Sequence, residues 1–114
     1  MLLIDGELPQ ADLRQRAIQV QAAAEHPAER GQLTVISSDR VDRGIGNLGL
    51  PAVQAEVECW LDGVELLILD NLSSLTVGVR ENDGDAWAQI QDWLLRLRRR
   101  GISVLIVHHA GKIR

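Results

Sequence analysis

Three apolar runs in this chain end in residues able to hold a cation or move a proton. Leu2, Leu3 and Ile4 lead into Asp5, with Glu7 two residues on. Leu66 to Leu69 lead into Asp70 and Asn71, and Val104 to Val107 lead into His108 and His109. A fourth run, Leu33 to Ile36, ends in Ser37, Ser38 and Asp39, a weaker set. Carboxylates bind hard cations and accept protons, and imidazoles donate or accept them near neutral pH. Gathered on one rim, such groups suit a cation-bound anion.

Each of these residues also has a plainer reading. Asp and Asn favour strand exits because their side chains bond nearby backbone, so Asp70 and Asn71 can simply cap a turn. Asp5 followed by Gly6 is a good turn pair, and taken alone it reads as one. Adjacent strand residues point to opposite faces, so His108 and His109 chelate one metal poorly and a dedicated zinc site is not expected. The run Arg96-Leu97-Arg98-Arg99-Arg100 sits in the last turn of a helix, where cations suit the negative end of the dipole. That reading is preferred over nucleic-acid contact. Trp87 and Trp93 read as core, and Cys59 as a small buried apolar residue.

The elements that must position these groups alternate. Residues 2–5, 33–37, 64–70 and 102–109 read as strands, from apolar and β-branched content. Helical spacing covers 10–25, with Leu13, Ile18 and Ala22 among good helix formers. It also covers 51–61, where Pro51 suits a first turn, and about 83–100, with Trp87, Ile90, Trp93, Leu94 and Leu97 on one face. Residues 38–50 and 71–82 read as loops. Strands separated by helices require right-handed crossovers and a parallel sheet. Unbroken apolar runs such as Leu66 to Leu69 fit strands covered on both faces. The expected fold is α/β, a three-layer α/β/α arrangement with a parallel sheet of about four strands.

Composition narrows the function. At 114 residues, nearly half apolar and with a net charge of −4, the chain has the size of one domain. No apolar run approaches the about 18 residues of a membrane span. A single cysteine makes no internal disulfide, so a reducing cytoplasm is the expected location. The acidic balance confines any nucleic-acid binding to a local patch. The absence of Phe and Tyr removes the usual base-stacking platforms.

The segments "LLIDGELP", "LLILDNLSSL" and "WLLRLRRRGISVLIVHHAGK", in that order, resemble the RecA-like P-loop ATPase core of the RepA-type replicative helicases and related AAA family ATPases. The resemblance runs over nearly the whole chain. It implies that the strand ending in Asp70 is a Walker B element, whose carboxylate holds the water shell of Mg²⁺ on ATP. Asn71 is then counted with the cofactor-binding residues. Glu7 resembles the acid that polarises the attacking water, and His109, or less well His108, the polar residue that senses the γ-phosphate. The loop that starts at Ala110 resembles one that tends to face DNA, with Lys112 and Arg114 as the cations placed to touch phosphate, and the loop over 72–84 holds the corresponding place after the Walker B strand. The family further implies DNA as a partner and a homo-oligomeric, hexameric ring.

The sequence departs from the family in one respect. It contains no GxxxxGK[ST], and Gly44 to Leu50 lacks the lysine and hydroxyl such a loop needs. Residues 1–114 are therefore expected to form a partial RecA-like domain, without the phosphate-loop strand and helix and without the later strands. Such a piece would be part of a longer ATPase and inactive alone. RecA-like connectivity also implies the strand order second–first–third–fourth, with the last strand an open apolar edge. The competing reading is a degenerate, non-catalytic ATPase-fold interaction module. An unrelated α/β enzyme using Asp5, Asp70 and a histidine on a metal ranks last.

Overall fold

Four short strands, each pairing in parallel with its neighbours, form the frame of the computed structural model, which describes residues 1–37, 46–76 and 84–108. The order along the chain is β1 (Leu2–Asp5), α1 (Gln10–Ala23), β2 (Thr34–Ser37), α2 (Pro51–Glu58), β3 (Leu66–Asp70), α3 (Leu72–Leu75), α4 (Gly84–Arg99) and β4 (Ser103–Val107). The sheet runs β2-β1-β3-β4, the order implied by the resemblance. Right-handed crossovers send α1 to one face of this sheet and α2 and α4 to the other, giving three layers.

The register defines what each face carries. Leu2 pairs with Thr34 and with Leu67, and Leu67 with Val104; Ile4, Leu69 and Ile106 follow two residues on. This face meets α2 and α4 in a single cluster containing Leu2, Ile4, Leu67, Leu69, Val57, Leu61, Trp93 and Leu97. Trp93 and Leu97 are four apart on α4 and so lie on one stripe; both are completely buried. The opposite face carries Leu3, Val35, Ile68 and Leu105, and its cover is thinner. Leu3, Val35 and Ile68 are half-buried, while Leu105 on the β4 edge is 53% exposed.

Helix α4 hands the chain to β4 through a glycine that few residues could replace. Gly101 has φ +85°, and its N–H donates to the Arg98 carbonyl at 2.9 Å while Ile102 N–H donates to Leu97 at 3.1 Å. This pair of bonds satisfies carbonyls the helix end would leave orphaned, and the left-handed residue it needs suits Gly. Ile102 then drops into the core at 5% exposure.

Of the apolar residues spaced along α1 only Leu13 is buried; Ile18, five positions on and so well round the helix from it, is 54% exposed. Among the described residues α1 lies beside Leu33, Val35 and Ser37, at the β2 edge of the sheet. Three expectations need correcting. Cys59 is exposed, its Sγ 3.3 Å from the Ala55 carbonyl, because the buried side of α2 is set by Gln54 and Val57. The stretch expected as loop from Asn71 begins with α3, which Asn71 and Ser74 cap reciprocally. Strand β4 stops at Val107, so His108 lies just beyond its last ladder pair.

Candidate functional site

Asp5 and Asp70 are register partners at the carboxyl ends of adjacent central strands. The chain leaves β1 toward β2 and leaves β3 toward β4, so these two ends flank the point where the topology reverses. In open parallel sheets ligands bind in the crevice at that point. The same row continues outward to Ser37 on β2 and Val107 on β4. All four side chains belong to the sheet face that holds α1.

The two carboxylates have different surroundings. Asp5 is 2% exposed, and its Oδ1 accepts the backbone N–H groups of Glu7 and Leu8, both at 2.8 Å. Those bonds fold residues 5–8 into a tight turn and hold Asp5 as the turn's anchor. Ser37 Oγ donates to the Leu8 carbonyl at 3.3 Å and ties the turn to β2. Asp70 is only half-buried, so of the pair it is the one with access to the rim.

Gly6 joins the two strand ends. Its N–H donates to the Asp70 carbonyl at 2.8 Å. A Cβ here would meet Ser74 Oγ at 2.5 Å and Leu75 Cδ2 at 2.9 Å, so the turn can lie on α3 only because the residue is glycine. Ser74 is positioned in turn by Asn71, whose Oδ1 accepts Ser74 N–H at 2.9 Å. Ser74 Oγ sits 3.3 Å from the Asn71 N–H and donates to the Asn71 carbonyl at 3.0 Å. Asn71 is wholly buried, and its Nδ2 has no hydrogen-bond partner among the described residues. The structure thus uses Asn71 as a helix cap facing away from solvent. Sequence reasoning read Gly6 only as a turn residue and missed Ser74, although the spacing of Asn71 and Ser74 is a recognisable capping pattern.

Glu7 and His108 stand exposed on this rim, Glu7 two residues past Asp5 and His108 one past Val107. The register therefore brings Asp5, Glu7, Asp70 and His108 to one end of the sheet. His109 and the loop from Ala110 expected to face DNA, with Lys112 and Arg114, lie outside the described residues, as do 77–83 of the loop after β3.

A family model described as an AAA domain matches residues 1–114. The chain belongs to the AAA-domain family. No curated protein and no solved structure matches it. Membership of this P-loop ATPase family implies a nucleotide ligand, usually with Mg²⁺. The donor chemistry of the AAA domain's rim fits the metal side of such a ligand. Among the described residues no group of three or more His, Cys, Asp or Glu could hold an ion by itself, and Mg²⁺ does not need one. It takes one or two carboxylates and fills its octahedron with water and phosphate oxygens. The phosphate side is different, because these 114 residues contain no GxxxxGK[ST]. Among the described residues no helix is long and apolar enough to cross a membrane.

Proposed function

We propose that this AAA domain supplies the magnesium-and-water side of the nucleotide pocket in a DNA-acting ATPase of the RepA-type replicative helicase kind. The single observation that supports this most is the pairing of Asp5 with Asp70 at the topological switch point. In this reading β3 is the Walker B strand and Asp70 orients the water shell of the cation. Asp70 would hold Mg²⁺ through that water, and the ion would supply positive charge against the charge developing on the phosphates. Glu7 is the base that takes a proton from the attacking water, its backbone placed by Asp5. His109, or His108 in its stead, donates a hydrogen bond to a phosphate oxygen and registers its loss. Lys112 and Arg114 contact nucleic-acid phosphate, the working assembly is a cytoplasmic hexameric ring, and the anion cradle comes from residues outside these 114. Asn71 serves the pocket indirectly, by holding α3 against Gly6.

The test uses Mn²⁺ with ATP as a paramagnetic probe of the 114-residue chain. Selective broadening of amide resonances at residues 5–8, 70–72 and 108, abolished by Asp70→Asn, is the expected result. Broadening centred elsewhere would remove the basis of the assignment. Calorimetry of the same chain should show no tight Mg-ATP binding and no turnover, since successive backbone N–H groups and a lysine normally hold the phosphates.

The exposed β4 edge favours a second reading, a non-catalytic ATPase-fold module that uses its edge for a partner. Rim broadening by Mn²⁺ that Asp70→Asn leaves untouched would favour the module.

A further inference from the structure

A groove of about 500 Å³ lies between α2 and α4, on the sheet face opposite Asp5 and Asp70, lined by Pro51, Gln54, Gln89, Asp92, Arg96 and Arg99 among others. The α4 contributors recur every three or four residues and so form one stripe. Gln54 is the unusual member, a glutamine 4% exposed. Its Nε2 donates to the Leu48 carbonyl at 2.8 Å, which turns Oε1 outward to accept Arg96 Nη2 at 3.2 Å. A buried amide, fixed from behind by backbone, thus holds a surface guanidinium at the groove.

The charges are unevenly satisfied. Arg100 pairs with Glu58 at 3.4 Å, the only ion pair among the described residues. Arg96 and Arg99 have none, and Asp92, one turn before Arg96 in the same wall, is beyond ion-pair distance of it. A favourable helix dipole accounts for arginines in a last turn but not for a buried glutamine that orients one of them over a concavity.

The geometry points to this groove as a phosphate-binding site, in which Arg96 and Arg99 grip the phosphate of a nucleotide or nucleic-acid strand. Guanidinium forks match phosphate oxygens in bidentate geometry, and an arginine already held by Gln54 loses less freedom on binding. Gln89 and Asp92 add a donor–acceptor amide and an acceptor, which suit a sugar hydroxyl or a base edge. The volume is that of an ordinary small-ligand site. The chain's net charge of −4 makes such a local patch its means of holding a polyanion at this face.

The experiment measures fluorescence anisotropy of a short fluorescein-labelled oligothymidylate in EDTA, so that the proposed magnesium rim contributes nothing. Arg96→Ala and Arg99→Ala should each weaken binding roughly 10-fold, the size of one charge-assisted contact. Arg98→Ala, the same loss of charge from the neighbouring groove beside β4, should change it by less than about 2-fold. All three side chains are exposed, so circular dichroism should report an unchanged fold. Two phosphate contacts on a single strand set the slope of log K against log salt near about −1.4. Displacement of the strand by inorganic phosphate assigns the groove to an isolated phosphate group, and resistance assigns it to a strand; either supports the site. Equal losses in all three variants, or no binding by the unmodified chain, would overturn it. None of these readouts depends on the magnesium rim.

Discussion

Two aspartates that look alike in sequence, each closing an apolar run, do different work in the folded chain. Asp5 spends one oxygen on two backbone N–H groups and is buried; Asp70, its register partner, is half-open. Asp5→Ala strands both N–H groups beside the sheet and should lower stability by about 2–4 kcal/mol, read as a fall in the urea midpoint with unchanged m. Asp5→Asn keeps an acceptor and should cost no more than half as much. Gly6→Ala forces a methyl into Ser74 and Leu75 and should cost about 1–3 kcal/mol by overpacking. Because Gly6 also carries the bond to Asp70, that variant should shift the Asp70 and Asn71 amides in a heteronuclear spectrum. Unmoved resonances would mean the two strand ends are not joined through this glycine. The Asp5-Gly6 turn was legible from residue type; the contact that makes glycine obligatory, 68 or more positions along the chain, was not.

Among the elements, α4 was the most legible and α3 the least, while α1 was placed without its buried face being readable. The α4 stripe survives because Ile90, Trp93 and Leu97 recur at helical spacing and meet an apolar sheet face. Trp93→Ala should therefore cost about 3–5 kcal/mol and broaden the thermal transition, monitored by far-UV circular dichroism. In α1 only Leu13 is buried, because Ile18, five residues on, lies well round the helix from it. Helix α3 escaped notice because four residues show no periodicity. Its cap is the readable part, and Asn71→Ala should cost about 1 kcal/mol or slightly more, detectable as lost amide protection at Ser74.

For the molecule as a whole, the outer side of β4 matters most, since among the described residues β4 pairs only with β3. Its strand Ser103–Val107 carries no charge and no proline, and Leu105 is 53% exposed. Such an edge is a template for pairing with another copy. The 114-residue chain should accordingly show concentration-dependent association in sedimentation velocity, and Leu105→Lys should suppress it while changing the unfolding free energy by no more than about 0.5 kcal/mol. A wild-type chain that stays monomeric at high concentration, with a high unfolding midpoint, would contradict this account.

The layered α/β class, the parallel sheet and the delivery of acids to strand ends follow from local pattern, since apolar runs and helical spacing are short-range properties that the sequence carries openly. The strand order came from resemblance, and it holds in the structure. Tertiary structure alone decided which aspartate is an anchor and which faces the rim, that Gly6 must touch α3, and that Gln54 reaches across to Arg96. Those outcomes depend on contacts between residues tens of positions apart, where burial and hydrogen-bond partners are settled by packing and leave no mark on the spacing of residues along the chain.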